Sequence, residues 1–258
     1  MPSILFEQRD QVAIIRLNRP EKLNALTGEM ILALSELFTS LNSQPNLRAV
    51  ILTGEGNNAF CAGTDISELA GLNEDQAREV SVRGQTLCNR IESCGVPVVA
   101  AVNGMAAGGG CELALACHLR IASTNAQFSL PETKLGINAA YGGTQRLARE
   151  IGEGRALELI LRGRTVGAED ALQIGLVNRI APAAELQAVA AALAQDIAQL
   201  APLAIRACLE AVTRGSQLPL AEGLALESKL FASLFATDDV REGTSAFLEK
   251  RAPVFKGQ

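Results

Sequence analysis

The chain has 258 residues, of which 48% are hydrophobic, so it can bury a sizeable core in one large α/β unit or in two smaller domains. Aromatic residues make up only 3% and the net charge is −5, which argues against a nucleic-acid partner, since such partners need basic surfaces and stacking rings. The six cysteines form no Cys-x-x-Cys pair, and neither a secretory leader nor a membrane-spanning stretch is evident, which predicts free thiols, no membrane partner and a cytoplasmic location.

The first half of the chain predicts alternating strands and helices. Strands are expected at residues 12–17, 49–52 and 96–102, and helices at 27–41 and 73–94, with a loop at 54–65. Thr27 is a suitable cap for the first helix. This order favours parallel strands joined by crossover helices. Periodicity alone does not distinguish a doubly wound sheet from other α/β folds.

A glycine cluster follows the strand at 96–102. Gly108 to Gly110 leads into a helix at 111–117, whose first turn carries Glu112. Glycines allow close backbone approach, and the first turn of a helix has spare N–H donors. Glu132 follows a proline after the strand-like residues 127–130. Together these features favour a site that polarises a carbonyl and moves protons, although each glutamate alone could be a helix-dipole partner or a solvated loop carboxylate.

The last 115 or so residues are mostly helical by pattern. Helices are expected at 143–151, 154–161 and 168–174, then a strand at 177–180, then further helices from Pro182 to Lys250. Pro202 and Pro219 suit first-turn positions, and Thr237 suits a cap. We place a boundary near residue 195, between a core at 1–195 that carries the active site and a helical region at 196–258.

Several motifs resemble the enoyl-CoA hydratase/isomerase (crotonase) superfamily, and they occur in the family's order along almost the whole chain. They are Asn18-Arg-Pro with Asn24-Ala-Leu, Ala59-Phe-Cys-Ala-Gly-Thr-Asp-Ile, Asn103-Gly-Met-Ala-Ala-Gly-Gly-Gly-Cys-Glu-Leu-Ala, Leu130-Pro-Glu-Thr-Lys-Leu-Gly-Ile, Gly142-Gly-Thr-Gln-Arg-Leu and Glu242-Gly-Thr-Ser-Ala-Phe-Leu-Glu-Lys-Arg. The resemblance implies an α/β fold of the crotonase type, a right-handed spiral of ββα turns with a helical C-terminal trimerisation region. It also implies a homo-oligomer, either a trimer or a dimer of trimers.

The resemblance further implies a short-chain enoyl-CoA hydratase, which adds water across the Cα=Cβ bond of a trans-2-enoyl-CoA or catalyses the reverse dehydration. In such hydratases, two glutamates at the positions of Glu112 and Glu132 hold one water, and the backbone N–H groups at Thr64 and Gly109 form an oxyanion hole. The expected partner is an acyl-CoA thioester. Neither a metal nor a separate cofactor is expected, because the backbone would stabilise charge and the carboxylates would carry protons.

Contacts to CoA are implied by the same resemblance. The matching positions are Lys22, Leu23, Ala25, Ala62, Asp65 and Ile66 in the first part of the chain, and Phe231, Phe247 and Lys250 near its end. In some relatives the last three come from a neighbouring subunit. Ordinary packing for the phenylalanines and a solvated helix end for Lys250 are the alternatives.

The chain departs from the usual pattern in three places. Most relatives have alanine where Thr64 stands, and His118 stands where the family often has aspartate. Relatives usually read Ile-Pro-Gly-Ala-Gly-Gly-Thr where this chain reads Asn138-Ala-Ala-Tyr-Gly-Gly-Thr, which puts Ala140 in the place of a glycine and Tyr141 beside it. An alanine in place of glycine is harmless at a negative φ and strained at a positive one. We expect Ala140 and Tyr141 to border the substrate pocket, and we hypothesise that Tyr141 disfavours long straight acyl chains.

Other classes of protein are less well supported by the sequence. A dinucleotide fingerprint at 54–59 is not followed by a helix, which disfavours a nicotinamide-binding protein. No Gly-x-Ser-x-Gly elbow is present, which disfavours a serine hydrolase. Cys117 and His118 are expected on one strand with opposed side chains, which disfavours a Cys–His pair or a zinc site, and His118 is expected to be structural. A non-catalytic CoA-binding scaffold is the alternative from another class, and an isomerase or a hydratase of branched or cyclic acyl-CoA is the alternative within the family.

Overall fold

Two β-sheets and ten α-helices make up the computed structural model, which describes residues 2–258. The strands are β1 (Ile4–Arg9), β2 (Val12–Leu17), β3 (Ala49–Gly54), β4 (Ala59–Cys61), β5 (Val98–Val102), β6 (Met105–Ala107), β7 (Leu119–Ser123), β8 (Gln127–Ser129), β9 (Val166–Gly167) and β10 (Arg179–Ala181). The helices are α1 (Gly28–Leu41), α2 (Glu74–Glu92), α3 (Gly109–Ala116), α4 (Gly143–Ile151), α5 (Glu153–Arg162), α6 (Ala168–Gln173), α7 (Leu186–Ala198), α8 (Pro202–Gly215), α9 (Leu220–Leu234) and α10 (Asp238–Glu249).

The strands alternate between the two sheets. The larger sheet has the order β1-β2-β3-β5-β7-β10, and the smaller one has the order β4-β6-β8-β9. Only the β1–β2 and β8–β9 pairs are antiparallel among the described strands. From β3 to β8, each turn of the chain gives one strand to the large sheet and one to the small sheet, and a helix follows. The structure therefore has the spiral of ββα turns that the resemblance of the motifs implied.

The core has two layers, one on each face of the large sheet. Ala13, Ile15 and Leu17 of β2 point into the main core, which α1, α2 and α3 cover. Val12 and Ile14 point to the opposite face, where buried alanines of α7 pack against them. This alternation follows from the two-residue period of a strand, and it explains why β2 and β3 read as continuous apolar runs.

The predicted helix starts are confirmed by their caps. The Thr27 hydroxyl accepts a hydrogen bond from the Met30 N–H, and Thr237 does the same for Val240. Asn73 and Gln76 form a reciprocal capping box at the start of α2. Pro202 occupies the first turn of α8 as expected. Pro219, by contrast, is the residue before α9 and not part of its first turn.

Several strand predictions need correction. The predicted loop at 54–65 contains β4, whose partner β6 lies more than forty residues along the chain. Cys117 ends α3 and His118 lies between that helix and β7, so the two do not share a strand. The last strand of the large sheet is Arg179–Ala181 and not 177–180. Short strands that pair through backbone hydrogen bonds at long range leave little local pattern.

The C-terminal helices are more exposed than the rest. None of the residues of α8 or α9 is buried, whereas α7 contributes four buried residues to the core. Residue 195 lies within α7, and the proposed division of the chain at this point stays a prediction. Five cysteines are buried and Cys208, on α8, is exposed; all six are free thiols. No single helix within residues 2–258 has the length and apolarity to cross a bilayer, although α7 and α8 together reach that length with a 107° bend.

Candidate active site

A cleft of about 610 Å³ opens beside the first turn of α3. It lies where β6 ends and α3 begins, and its other walls come from α2, from the loop after β4 and from the segment between β8 and α4. Both predicted carboxylates and both predicted donor residues line it: Glu112, Glu132, Thr64 and Gly109. The sequence therefore located groups that the fold brings to one cavity.

Glu112 is almost completely buried in the first turn of α3. Its Oε1 accepts two hydrogen bonds of 2.7 Å, from the N–H groups of Tyr141 and Gly143. The pKa of Glu112 is raised to about 7, mainly by burial and to a smaller extent by the charge of Glu132, while the two N–H donors oppose the shift. The carboxyl group can therefore gain or lose a proton near neutral pH, as a catalytic base must.

Glycines allow the close contacts around α3. A side chain on Gly110 would lie 2.0 Å from the carbonyl oxygen of Cys61, and one on Gly143 would lie 2.8 Å from Glu112 Cγ. Gly108 has a φ of +50°, a conformation that favours glycine. The glycine cluster is thus explained by the approach of α3 to β4 and by the turn that starts the helix.

Glu132 begins a 3₁₀ turn, Glu132–Leu135, directly after β8 and Pro131. Its Oε2 is buried and has no hydrogen-bond partner among the described residues, and burial raises its pKa. A buried carboxyl oxygen without a donor favours the protonated form. Glu132 is therefore suited to give a proton, while the two N–H groups at Glu112 favour the ionised form of that residue.

The main-chain N–H groups of Thr64 and Gly109 lie on adjacent segments of the cleft wall. A side chain on Gly63 would come within 3.3 Å of the Gly109 nitrogen, which shows how closely the segments approach. The Thr64 N–H donates to no acceptor among the described residues. Gly109 is the first residue of α3, so its N–H has no acceptor within the helix. Two such donors side by side can stabilise an oxyanion.

Tyr141 is buried against both donor segments. Its hydroxyl lies 2.9 Å from the Thr64 hydroxyl, and its ring would be 3.1 Å from a side chain on Gly109. The opposite edge of the ring meets Gly84 of α2, where an added Cβ would lie 2.0 Å from Tyr141 Cδ1. Burial raises the pKa of the Tyr141 phenol to about 12, so it stays neutral. The two unusual residues of this site, Thr64 and Tyr141, are thus joined by a hydrogen bond.

Ala140 borders the same cleft without strain. Its φ is not in the left-handed region, so an alanine is accommodated at this position. Its carbonyl oxygen accepts hydrogen bonds from Ser81 Oγ (2.8 Å) and Gln85 Nε2 (3.1 Å) of α2. Arg146 binds the carbonyl oxygen of Tyr141 and the carboxylate of Glu92. These contacts hold the segment whose N–H groups bind Glu112.

Among the expected CoA contacts, the early segments come together. The Ala62 N–H donates to the Leu23 carbonyl oxygen, and the Leu26 N–H donates to that of Gly63, so residues 22–26 lie beside the Thr64 segment. Asp65 binds Arg19 at 3.1 Å and caps the turn that Ile66 begins. Ala62 and Ile66 line the cleft, whereas Lys22 and Leu23 are exposed on the surface near it.

Phe231, Phe247 and Lys250 do not reach the cleft within this chain. Phe231 and Phe247 are 64% and 83% exposed, and neither they nor Lys250 line the cavity. Lys250 ends α10 in a left-handed conformation. Their role in binding CoA stays a prediction, and it requires another subunit.

His118 has a structural environment. Its Nδ1 accepts a hydrogen bond from the Val98 N–H and its Nε2 lies 3.0 Å from the Glu92 carbonyl oxygen. Burial lowers its pKa, so the ring is neutral. Within residues 2–258 no group of three or more His, Cys, Asp or Glu side chains is arranged to hold a metal ion.

Sequence reasoning missed Gly84, Ser81 and Gln85 at this site, and it included Arg146 only as part of the Gly142-Gly-Thr-Gln-Arg-Leu motif, without a role. Each acts through the shape or the main chain of the 140–143 segment, and a residue that receives another side chain leaves no motif of its own. A glycine in the middle of a 19-residue helix was the one available signal, because glycine is unfavourable there.

Comparisons with known proteins agree with this geometry. The sequence model described as "Enoyl-CoA hydratase/isomerase" matches residues 7–258. The chain is 41% identical over 249 residues to the short-chain-enoyl-CoA hydratase of Clostridium acetobutylicum, covering 96% of this chain and 95% of that protein. It is 40% identical over 253 residues to the crotonyl-CoA hydratase of Syntrophomonas wolfei, covering 98% and 97%.

A solved structure has the same fold. The crystal structure of an enoyl-CoA hydratase from Bacillus anthracis superposes with a TM-score of 0.96 at 42% identity and covers 100% of both chains. The fold class predicted from the motifs is therefore confirmed.

Proposed function

The chain belongs to the enoyl-CoA hydratase/isomerase family, and from this premise we infer that it is an enoyl-CoA hydratase, a hydro-lyase that acts on an acyl-CoA thioester. One observation carries the reaction. Glu112 and Glu132 line the same cleft as the N–H groups of Thr64 and Gly109, so acid, base and oxyanion donors converge. Hydration needs all three, because charge develops on the thioester oxygen while two protons move.

The reaction starts with a water between the two carboxyl groups. Ionised Glu112 takes a proton from this water while the oxygen of the water forms the new bond to Cβ. The π electrons of the Cα=Cβ bond move toward the thioester, and the resulting enolate oxygen accepts hydrogen bonds from Thr64 and Gly109. Each such donor contributes about 3–4 kcal/mol to lowering the barrier in comparable sites.

Glu132 completes the addition. Its protonated form delivers a proton to Cα, the enolate collapses to the thioester, and a 3-hydroxyacyl-CoA results. Glu112 then holds the proton taken from water and Glu132 lacks one, so transfer of a proton between them restores the starting state. The charge is held by main-chain donors and the protons by carboxyl groups, so the chemistry needs no further group.

The acyl pocket suits short chains. Tyr141 fills the space between α2 and the donor segments; one edge of its ring lies against Gly84, and its hydroxyl is hydrogen-bonded to that of Thr64. The relatives named for short-chain and crotonyl substrates support the same preference. The hydroxyl groups of Thr64 and Tyr141 form a polar pair in this cleft. An acyl-CoA with a branched or oxygenated acyl group is therefore a second candidate substrate.

Assembly into a trimer or a dimer of trimers is part of the proposal. The helices α8 and α9 bury none of their residues within the chain. Four large apolar side chains on α9, just after it and on α10 are exposed: Phe231, Phe235, Phe247 and Leu248. Large exposed apolar surfaces of this kind mark interfaces. A reducing compartment such as the cytoplasm suits the six free thiols.

The test is turnover of a panel of trans-2-enoyl-CoA thioesters, followed by loss of the conjugated enone absorbance. Wild-type protein should hydrate at least one short-chain member, and Glu112→Gln and Glu132→Gln should each lose about 10²–10⁴-fold in kcat. Both variants keep the size and the acceptor oxygen of the side chain, so circular dichroism should show unchanged folding.

Two results would contradict the assignment. Migration of the double bond without hydration would identify an isomerase. Binding of the thioester without any turnover, unaffected by either substitution, would identify a non-catalytic scaffold.

A further inference from the structure

A second cavity, of about 200 Å³, lies at the opposite end of the large sheet from the active site. It is bounded by the residues that precede β3 and β5, by the end of α1, by the start of α8 and by residues 256–257. The active-site cleft, in contrast, lies beyond the ends of β4 and β6. The two cavities share no lining residue.

The cavity is lined by three cationic side chains: Arg48, Arg206 and Lys256. No aspartate or glutamate is among the described residues that line it. Asp239, in the first turn of α10, is a neighbouring carboxylate, and its two oxygens already accept hydrogen bonds from the N–H groups of Lys256 and Gly257. The wall is therefore positively charged without a carboxylate in it.

Arg48 is the unusual member of this group. It is only 9% exposed, its Nε and Nη1 are buried without a hydrogen-bond partner, and it makes no ion pair among the described residues. A buried guanidinium without a partner is strongly unfavourable, so such groups in native proteins bind something.

The start of α8 adds main-chain donors to the same wall. Pro202 is the first residue of this 14-residue helix, and no side chain caps it. The N–H groups of Leu203 and Ala204 therefore lack acceptors within the helix, whereas that of Ile205 donates to the Ala201 carbonyl oxygen, and Leu203 lines the cavity. A helix start with a buried arginine beside it is a favourable environment for an anion.

We propose that this cavity binds a compact phosphate-type oxyanion, either free or as the terminal phosphoryl group of a larger molecule. Arg48 provides the buried charge, Arg206 and Lys256 provide the outer charges, and the start of α8 provides N–H donors. The volume fits one tetrahedral oxyanion with some water but not a whole nucleotide. The site is separate from the hydratase centre and does not depend on the proposed reaction.

The experiment measures binding of inorganic phosphate to the full chain by calorimetry and by thermal unfolding, against chloride at matched ionic strength. Phosphate should bind the wild type and raise its Tm. Arg48→Met should weaken binding at least about tenfold, and Arg206→Gln by about three- to tenfold, because charged hydrogen bonds are lost. Phenyl phosphate in place of inorganic phosphate distinguishes the sources: binding of both indicates a phosphoryl group that enters through the opening, and binding of phosphate alone indicates a free anion.

Two control variants keep the result specific. Arg78→Gln removes an exposed arginine of α2, and Arg162→Gln removes an exposed arginine of α5; neither should change the phosphate response. In phosphate-free chloride buffer, Arg48→Met should have a higher Tm than the wild type, because an unpaired buried charge is removed.

The proposal is overturned if phosphate raises the wild-type Tm no more than chloride does. It is also overturned if Arg48→Met leaves the phosphate affinity unchanged. A lower Tm of Arg48→Met without phosphate would show that Arg48 already has a partner, such as a carboxylate of a second copy, and would equally overturn it.

Discussion

Glu112 presents only one of its two oxygens to the cleft. Its Oε1 holds two main-chain N–H groups, whereas its Oε2 accepts no hydrogen bond from the described residues. The side chain is therefore fixed in orientation by Tyr141 and Gly143, and the second oxygen remains available to a water. A base held in this way loses little orientational freedom when the substrate arrives.

The pKa of Glu112 gives a prediction for activity. Burial raises it to about 7, and only the ionised form can take a proton from water. We expect kcat/KM for hydration to rise about tenfold per pH unit below pH 7 and to fall again at higher pH, where Glu132 loses the proton that it must deliver to Cα. A profile without an inflection between pH 6 and 8 would contradict the assignment of Glu112 as base.

The raised pKa of Glu112, which suits it to act as a base, also predicts a loss of folding stability at neutral pH. The folded pKa of Glu112 lies above its ordinary value of 4.5, so the folded state binds the proton more tightly, and stability falls as pH rises from 4.5 through 7. Glu112→Gln removes this loss. Urea unfolding at pH 8 should show the variant more stable by up to about 3 kcal/mol, with the gain shrinking toward pH 4.5.

Tyr141 gives a second prediction at the residue scale. Tyr141→Ala should open space beside the acyl chain, so kcat/KM for six- to ten-carbon enoyl-CoA should rise relative to that for the four-carbon substrate by about tenfold or more. Tyr141→Phe keeps the ring and removes only the bond to Thr64, so it should keep the wild-type chain-length order. An unchanged profile in Tyr141→Ala would show that the ring does not border the acyl chain.

A single glycine of α2, Gly84, allows this helix to pack closely against Tyr141 in the segment before α4. Gly84 lies in the middle of α2, and an added Cβ would overlap the Tyr141 ring at 2.0 Å. Glycine at such a position costs about 0.5–1 kcal/mol relative to alanine, so its presence reflects the space that the ring requires.

Gly84→Ala should therefore destabilise the protein by about 1–3 kcal/mol through overpacking, measured by denaturant unfolding. Tyr141→Ala in the same chain should relieve the clash and return part of that loss. Gly154→Ala is the matched control, because Gly154 of α5 has no atom within 4 Å of the added Cβ. A loss of the same size at Gly154 would show that the effect comes from the helix backbone and not from Tyr141.

Sequence signals that act locally, such as helix caps and glycine clusters, predicted the elements in which they lie. Contacts between residues far apart in the chain could not be predicted from such signals. Thr27 and Asn73 mark helix starts because a cap lies next to its own helix, and Glu112 is visible through the glycines before it. The strand β4 is three residues long and depends on β6. The Thr64–Tyr141 hydrogen bond joins residues 77 positions apart, and no spacing in the sequence encodes it.

For the whole molecule, the helices α8, α9 and α10 form a surface that one chain leaves open. The rings of Phe231, on α9, and Phe235, the residue just after α9, meet edge to face with their centroids 5.1 Å apart, and both side chains are more than half exposed. The close approach of Gly215 and Gly223 holds α8 and α9 together as a pair. This paired surface is the region that the proposed trimer would bury.

Light scattering should give three or six times the 27.1 kDa mass of the chain. Phe231→Asp should shift the protein toward smaller species and raise KM for the thioester, while Leu32→Asp, an exposed position of similar apolarity on α1, should leave the mass unchanged. A wild-type mass of one chain at micromolar concentration would contradict the proposed assembly.

The distribution of thiols has a practical consequence for such measurements. Cys61, Cys88, Cys94, Cys111 and Cys117 are buried, and burial raises the pKa of each, so they present almost no thiolate to a maleimide reagent. Cys208 is the exposed thiol of the described chain, on the outer helix α8. A fluorophore attached there would report on association of that helix without any engineered residue.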